Sequence, residues 1–278
     1  MGKWLVFLVF FISADFAAAQ ANLNDALSRM ERTIESSQDE FTMRDKYFLG
    51  RTVAAQILSR YRIYTGNSEL TNYVNLICRA LAVNSSMPDW YNGYFTAILD
   101  ASDINAFSTP GGHIFITRGF LDIASSEDML AAVIAHELAH IQLNHATEDI
   151  MNARLVQRLE QEQQRISRST AGDQQLFNSL VDEIVQSLFG RGYSQQQEFE
   201  ADLAAFNMLA AAGYNPRSLI DLLRLFERQQ PNQMGGLNAT HPLPSQRIAN
   251  LERQTNVNRL LLNTESARRN RFNRIMER

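Results

Sequence analysis

The sequence predicts an α+β protein that is mainly helical and contains one small β-sheet. Apolar residues recur at helical spacing along most of the chain, whereas one short region, 91–119, is rich in branched and aromatic residues. No internal repeat or low-complexity linker divides the sequence. The composition, 45% hydrophobic and 20% charged over 278 residues, is that of a globular protein. We therefore expect one domain over residues 22–278.

The N-terminus is predicted to be a secretory signal peptide. Lys3 precedes an apolar run from Trp4 to Ile12, and small residues follow at Ala17–Ala19, so the signal would cover residues 1–19, with cleavage as late as Ala21. The apolar run is shorter than the roughly 20 residues that span a bilayer, which makes an uncleaved anchor the less favoured alternative. No cysteine lies at the cleavage site, so a lipoprotein is not expected. These features predict a periplasmic or secreted protein with no transmembrane segment in the mature chain.

The first half of the mature chain is predicted to hold two helices followed by strands. Apolar periodicity indicates helices from about Thr42 to Tyr64 and from Ser68 to Val83, and the turn residues of NSSMPDW follow the second. Strand patterns appear in YNGYFTAILD and HIFITRG, separated by a Pro-Gly-Gly turn in NAFSTPGG. Cys78, the only cysteine, lies in the second helix, where we expect a buried structural thiol.

Helices are predicted for most of the second half. One begins at Ser125, where SSED resembles a capping box with acidic residues in the first turn, and runs to about Leu143. Another ends at Gly213, the next begins at Pro216, and a final pair follows the loop PNQMGGLNATHPLP. The polar segment Thr147–Ser169 is interpreted as a solvated helix, and a helix that covers the functional site is the alternative.

The charge pattern does not favour nucleic-acid binding. The formal net charge is −4, whereas binding a polyanion requires clustered lysines and arginines. The basic C-terminal segment SARRNRFNRIMER is therefore interpreted as a solvated helix end rather than as a contact for nucleic acid or lipid headgroups.

The strongest chemical signal is H-E-x-x-H at His136, Glu137 and His140, inside the apolar stretch AVIAHELAHIQLNH. Residues four apart share one face of a helix, so both imidazoles can bind one zinc ion. Glu137 then lies where its carboxylate can take a proton from a water molecule that the metal activates. A chance match on an exposed helix is disfavoured because the surrounding residues are apolar and a buried charge without a partner is costly.

A catalytic zinc site needs a third protein ligand and one open position. His145 would lie about 140° around a continuous helix from His140, so it is interpreted as a surface or helix-end residue, or as a hydrogen-bond donor behind a ligand. Glu198 and Asp202 are four apart in QEFEADLAAF. We expect Glu198 to bind the metal and Asp202 to accept a hydrogen bond from a metal-bound histidine. Glu200 would point away and be solvated.

These motifs resemble the gluzincins of metallopeptidase family forty-eight, which includes HtpX-like proteases, CAAX prenyl proteases and the periplasmic protease BepA. H-E-L-A-H and E-F-E-A-D are joined by two further matching segments, INAFSTPGGHIFITRGFL and ATHPLPSQRIANL. All four occur in the family's order between Asp103 and Leu251. The resemblance implies a gluzincin-type metallopeptidase fold and one Zn²⁺ per chain.

The chain also departs from these relatives. HtpX and the CAAX proteases carry transmembrane helices, and BepA continues into a helical repeat domain, whereas 37 residues follow His241 here. We therefore expect a compact, exported relative of BepA without the repeat domain. Its expected partners are unfolded or misassembled envelope proteins, with the outer-membrane assembly machinery as a further candidate.

The resemblance implies roles for two further segments. The family counterpart of Ala106–Phe115 includes an edge strand that pairs with extended substrate, which implies substrate contacts at the residues Ala106, Phe107, Ser108, Pro110, Gly111 and Gly112. The family's T-H-P histidine corresponds to His241, which would either stabilise the oxyanion or occupy the open metal position and silence the enzyme. Arg247 would tie this loop to the body of the domain.

Two functions follow as hypotheses. The leading one is a zinc-dependent endopeptidase of the cell envelope that hydrolyses unfolded or misassembled proteins, with Glu137 as the general base. The alternative is a chaperone or scaffold for outer-membrane protein assembly, in which His241 keeps the protease silent.

Overall fold

The structure is a computed structural model, and it describes residues 42–148, 181–182, 184–186, 188, 192–229, 241, 243–255 and 266–276. The chain divides into two units, and all described residues fall in the one that comprises 41–148 and 172–278. The other unit, 1–40 and 149–171, lies outside the described residues, and so do the proposed signal and nearly all of the polar segment at 147–169. The single-domain boundary at residue 22 therefore stays a prediction.

The described elements are mainly helical, with one three-stranded sheet, which confirms the predicted fold class. In chain order they are α1 (Met43–Arg60), α2 (Ser68–Val83), β1 (Phe95–Leu99), β2 (Ala106–Ser108), β3 (His113–Thr117), α3 (Arg118–Ile123), α4 (Glu127–Gln142), α5 (Gln195–Ala211), α6 (Arg217–Gln229), α7 (Pro244–Gln254) and α8 (Ser266–Ile275).

The sheet has the strand order β1-β3-β2, so β1 and β2 form its two edges. β3 pairs in parallel with β1 and antiparallel with β2. The outer edge of β1 is covered: the Asn75 side chain exchanges two hydrogen bonds with the backbone of Thr96, and Ile63 pairs with Leu99. β2 lies against α4 instead, so the second edge faces the helix that carries H-E-x-x-H.

The helix α1 is shorter than predicted. Thr42 caps its start through a capping box with Asp45, as a threonine three residues before an acidic residue favours. It ends at Arg60 rather than near Tyr64, because the Tyr64 N–H donates to the Ile98 carbonyl beside β1. Apolar periodicity cannot distinguish such an edge contact from another helical turn. The helix α2 has the predicted bounds, and its Cys78 is fully buried, as expected.

The helix α4 forms the centre of the core, and every residue from Glu127 to Gln142 is buried. It packs against α5, α6 and α2 on different sides. A helix that is surrounded in this way needs apolar residues all round, which explains the run of alanine, valine, leucine and isoleucine in its sequence. The polar residues within it therefore lie in the interior, where each needs a partner or a function.

The capping box predicted from SSED is not the arrangement at the start of α4. Ser126 is the N-cap, and its hydroxyl accepts from the Met129 N–H at 3.1 Å. The first-turn carboxylates bind other elements instead. Asp128 Oδ1 accepts from the Asn215 N–H at 2.9 Å, and Glu127 Oε2 accepts from the Tyr73 hydroxyl at 2.8 Å.

The basic C-terminal segment forms the helix α8, most of whose residues are exposed, as expected for a solvated helix end, but the contact of one face with the core was not predicted. The helix α8 is docked on the core through Phe272 and Ile275, which are 1% and 7% exposed. Arg271 Nε donates to Glu127 Oε2 at 2.8 Å, and Arg268 lies 3.4 Å from Asp128 Oδ1. These contacts fix the C-terminal helix to the N-terminal end of α4.

No helix in the described ranges combines the length and the apolar character that crossing a bilayer requires.

Candidate metal centre

The helices α4 and α5 bring three of the predicted ligands together. His136 Nε2 lies 3.0 Å from His140 Nε2, and each of these nitrogens lies near the Glu198 carboxylate, at 3.5 Å and 3.6 Å. All three side chains are at most 2% exposed. Ser194 caps the start of α5 through a capping box with Gln197, which places Glu198 one helical turn from the end.

His241 joins the same cluster from the segment before α7. Its Nδ1 lies 2.9 Å from Glu198 Oε1 and 3.2 Å from His136 Nε2. One ligand atom each from His136, His140, Glu198 and His241 lie within 4.8 Å of one another. Among the described residues, this buried cluster is the group of histidines, cysteines and carboxylates that has the spacing for a metal ion.

Asp202 and Arg247 hold the cluster from behind. Asp202 Oδ1 lies 3.1 Å from His136 Nδ1, the ring nitrogen that faces away from the cluster. Arg247 donates two hydrogen bonds to the Asp202 carboxylate, at 2.6 and 2.8 Å, and lies 2.8 Å from Glu198 Oε2. It also reaches the His241 carbonyl at 3.5 Å, so one buried guanidinium links α5, α7 and the His241 segment.

Burial and contacts with charged neighbours shift the pKa values of several of these groups in opposite directions. Burial and the Arg247 charge lower the pKa of His136, but hydrogen bonds to Asp202 and Glu198 outweigh both and raise it to about 9. Burial, with the neighbouring His136 charge, lowers the pKa of His140 well below its ordinary value. Burial would raise the pKa of Glu198, yet the Arg247 and His241 charges hold it well below the usual range. The ionised Glu198 and the neutral His140 are ready for metal ligation, whereas His136 must give up its extra proton when a metal binds.

Glu137 provides the test of whether a metal fits here. Its side chain is fully buried, and neither carboxylate oxygen has a hydrogen-bond partner among the described residues. His241 Nε2 lies 3.5 Å from Glu137 Oε1, beyond hydrogen-bond distance. A buried carboxylate without partners is costly unless a charge or ligand compensates it. Two imidazoles and a carboxylate are the donor set that zinc prefers, so the residues present fit a zinc ion.

His145 is placed differently from the surface position that the sequence interpretation favoured. It is 1% exposed, and its Nδ1 lies 2.9 Å from His140 Nδ1, which agrees with the alternative of a contact behind a ligand. The helix α4 ends at Gln142, and Asn144 adopts a left-handed backbone (φ 61°) that turns the chain back. The angle calculated for a continuous helix therefore does not apply. Glu200 is partly solvated, as expected, but lies 3.5 Å from His145 Nε2.

Sequence reasoning missed Tyr193, which stacks on His140 with ring centroids 3.9 Å apart and planes 19° from parallel. It lies just before the Ser194 cap of α5, and no spacing rule links it to the ligands. Its position two residues before a helix that carries a predicted ligand was the available signal.

The model of peptidase family M48 matches residues 68–255, more than half of the chain, and this range contains all four clustered residues. The chain belongs to peptidase family M48. This assignment confirms the resemblance drawn from the motifs and the prediction of a metalloendopeptidase.

Named relatives of this M48 protein are also peptidases. Metalloprotease LoiP of Escherichia coli (strain K12) is 26% identical over 196 residues, which cover 69% of this chain and 73% of LoiP. Mitochondrial metalloendopeptidase OMA1 of Saccharomyces cerevisiae is 30% identical over 156 residues, 54% of this chain and 43% of OMA1. The beta-barrel assembly-enhancing protease of Escherichia coli (strain K12) is 24% identical over 202 residues, 67% of this chain and 39% of that protein. The chain thus spans less than half of the last two.

A small pocket of the M48 domain lies between the edge strand and the metal centre. Its lining combines the end of β2 and the following turn with the end of α4 and Tyr193: Ser108, Thr109, Pro110, His140, Ile141, Asn144, Ala146, Thr147 and Tyr193. Of the six residues predicted to contact substrate, Ser108 and Pro110 line this pocket, while Ala106 and Phe107 are buried in β2.

Gly111 and Gly112, in the predicted substrate segment, lie where a larger side chain would collide with neighbouring backbone atoms. A Cβ on Gly111 would lie 2.9 Å from the Tyr47 carbonyl oxygen of α1. Gly112 has φ +86°, and a Cβ there would lie 2.7 Å from the Gly93 carbonyl oxygen. Both positions therefore require glycine for the turn between β2 and β3. Their predicted role in substrate contact stays a prediction.

Proposed function

We propose that this M48 protein is a zinc-dependent endopeptidase that hydrolyses peptide bonds in unfolded or misassembled proteins of the cell envelope. The observation that carries the proposal is the Glu137 carboxylate, which is fully buried beside the cluster of His136, His140 and Glu198 and has no hydrogen-bond partner among the described residues. Because a buried carboxylate without hydrogen bonds destabilises the fold, its presence at Glu137 is best explained by a catalytic role.

Each residue of the metal centre has a distinct role in this proposal. His136, His140 and Glu198 would hold one zinc ion, which when bound activates a water molecule and polarises the substrate carbonyl. Glu137 takes the proton of the attacking water and passes it to the leaving amine. Asp202 orients His136, and Arg247 fixes Asp202 and Glu198, so the ligands are positioned before substrate arrives.

The edge strand β2 supplies a surface for the substrate backbone. The Thr109 N–H donates to His113 and the Thr117 N–H to Asn105, so residues 105 and 109 face β3. In an antiparallel pair the bonding direction alternates, and Ser108 therefore directs its N–H and carbonyl away from β3. An extended peptide would pair there through main-chain hydrogen bonds and would accept many sequences. Because Ser108 is 2% exposed, the peptide must displace the residues that cover this edge.

His241 is proposed to occupy the fourth ligand position in the resting enzyme. Its Nδ1 lies 2.9 Å from Glu198 Oε1, closer than Nε2 of either motif histidine, and 3.2 Å from His136 Nε2, compared with 3.0 Å for His140. A zinc ion with four protein ligands has no open position for water, and such sites are structural rather than catalytic. This observation also favours the second candidate function, a chaperone or scaffold for outer-membrane assembly whose peptidase is silenced by His241.

The envelope location is proposed on two grounds. Residues 1–19 have the layout of a secretory signal. One relative bears the name beta-barrel assembly-enhancing protease, which suggests outer-membrane assembly components as partners.

The direct experiment is casein cleavage by the purified, zinc-loaded protein. We expect cleavage by the wild type and a loss of about 10²–10⁴-fold in Glu137→Gln, the range that general acid–base catalysis supplies. The variant should keep its zinc. Glu227→Gln, an exposed carboxylate on α6, serves as the matched control and should cleave like the wild type. Equal cleavage by Glu137→Gln would refute the peptidase mechanism.

The role of His241 is tested by His241→Ala. If the residue closes the site, the variant cleaves casein faster than the wild type. A large loss of activity would instead assign His241 to transition-state stabilisation, and the silenced-scaffold function would be rejected.

A further inference from the structure

His140 is contacted from behind by a residue that lies outside the H-E-x-x-H motif. Its Nε2 faces the cluster, 3.0 Å from His136 Nε2, while its Nδ1 lies 2.9 Å from His145 Nδ1. Two ring nitrogens at this distance share one proton, so one ring donates and the other accepts. When His140 Nε2 offers its lone pair to a metal, its proton resides on Nδ1, and His145 Nδ1 must accept it.

That arrangement also determines the tautomer of His145. With Nδ1 accepting, the neutral ring carries its proton on Nε2, which lies 3.5 Å from Glu200 Oε2. This nitrogen is buried and makes no hydrogen bond among the described residues, so the Glu200 carboxylate acts on its N–H as a nearby negative charge rather than as a hydrogen-bond acceptor. The Glu200 carboxylate is itself held, because Gln196 Nε2 donates to its other oxygen at 2.6 Å. The three side chains form a line from the cluster to the surface, where Glu200 is 46% exposed.

The backbone explains how His145 reaches this position. The helix α4 stops at Gln142, and Asn144 takes the left-handed conformation that asparagine tolerates better than most residues. The chain then starts a new helical turn, whose Thr147 and Glu148 N–H groups donate to the Asn144 carbonyl. This reversal directs the His145 ring back towards His140 and buries it to 1% exposure.

We propose that His145 and Glu200 are positioning residues that hold His140 in the tautomer and orientation needed to bind zinc. The proposal rests on the metal site of the proposed function. Metal-bound histidines regularly donate their second ring N–H to an acceptor, and removing that acceptor weakens metal binding. For His136 the acceptor is Asp202; for His140 it is a second histidine backed by a carboxylate at the surface.

The test measures the zinc dissociation constant of the purified protein by competition with a chromophoric chelator. His145→Leu removes the acceptor at similar volume, and we expect zinc affinity to fall about 10–100-fold. In His145→Asn the amide oxygen takes the place of Nδ1 and accepts from His140, so most of the affinity should return. The visible absorption of the Co²⁺-loaded protein should change in the leucine variant and resemble the wild type in the asparagine variant.

Glu200 keeps the test decisive if the buried variants do not fold. Glu200→Ala should lower zinc affinity about two- to fivefold, as loss of one partly exposed charged contact predicts, and Glu200→Gln, which retains a carbonyl oxygen towards His145, should lose less. Glu227→Ala is the exposed control and should bind zinc like the wild type. Unchanged affinity in both His145→Leu and Glu200→Ala would overturn the proposal. Normal metal binding without casein cleavage would refute the peptidase function and leave this inference intact.

Discussion

The helix α4 contains two buried glutamates whose surroundings are opposite. Glu127, at the N-terminal end, accepts from the Tyr73 hydroxyl at 2.8 Å, from the Tyr214 hydroxyl at 3.3 Å and from Arg271 Nε at 2.8 Å. Glu137, ten residues later in the sequence, has no hydrogen-bond partner for either oxygen among the described residues. Both side chains are at most 1% exposed.

This difference distinguishes a structural glutamate from a proposed catalytic glutamate in the same helix. A buried carboxylate with a full set of donors contributes to stability, and its partners fix the C-terminal helix α8 to the core. A buried carboxylate without donors costs stability and is retained for another reason. Burial alone would have grouped the two residues together, whereas their partners distinguish them.

The largest effect on stability is expected at Arg247, which contacts the Asp202 and Glu198 carboxylates at the metal centre. Arg247→Leu removes the buried guanidinium that contacts both Asp202 and Glu198 and leaves these two carboxylates with histidine partners alone. The free energy of unfolding of the metal-free protein should fall by about 3–5 kcal/mol. Urea titration followed by circular dichroism measures this change. A loss below about 1 kcal/mol would contradict the pairing that the structure describes.

Removal of the metal should lower the melting temperature of the protein. Saturating zinc at a hundredfold excess over its dissociation constant stabilises a folded protein by about 2.7 kcal/mol. Chelation should therefore lower the melting temperature of the wild type and leave that of His140→Ala unchanged. A wild type that melts at the same temperature with and without chelator would speak against a metal in the cluster.

The two glutamates themselves give the matched comparison. Glu127→Gln weakens charge-assisted hydrogen bonds and should lower the free energy of unfolding of the metal-free protein by about 1.5–3 kcal/mol. Glu137→Gln removes a buried charge that has no hydrogen-bond partner among the described residues, so stability should change by less than about 1 kcal/mol or increase. Casein cleavage should follow the reverse order, kept in the first variant and lost in the second. Equal destabilisation of both variants would remove the distinction between them.

The smallest effect is expected at Arg268, the second basic contact of α8. It lies 3.4 Å from Asp128 Oδ1 and donates to the Gly213 carbonyl at 3.0 Å. Arg268→Ala should lower the free energy of unfolding by about 1 kcal/mol without a change in zinc affinity. Differential scanning calorimetry and the chelator assay separate the two readouts; a weaker zinc affinity would show that the two ends of α4 are coupled.

Local spacing explains how much of the site could be predicted. His136 and His140, and again Glu198 and Asp202, are four residues apart, and one helical turn places each pair on a shared face. The fold class followed from the same periodicity. The contact between the two pairs was predicted from the chemistry of a zinc site, which needs a third ligand and a hydrogen-bond acceptor behind a metal-bound histidine.

The errors arise where a single backbone angle or a long-range contact decides the outcome. His145 was placed by assuming a continuous helix, but the left-handed Asn144 ends it. The exposure of most of α8 was predicted, but its contact with the core was not, because Arg271 binds Glu127, 144 residues away in the sequence. Neither a one-residue reversal nor a pair at that separation leaves a periodic signal.

The most direct test of the metal centre is the zinc content of the purified protein after dialysis against zinc and removal of the excess. We predict one zinc per chain in the wild type and in the Glu227→Ala control, and a loss of bound zinc in Glu198→Ala, because that variant removes the carboxylate contributed by α5. Zinc retained by Glu198→Ala at the wild-type stoichiometry, or a wild type that binds none, would contradict the assignment of His136, His140 and Glu198 as its ligands.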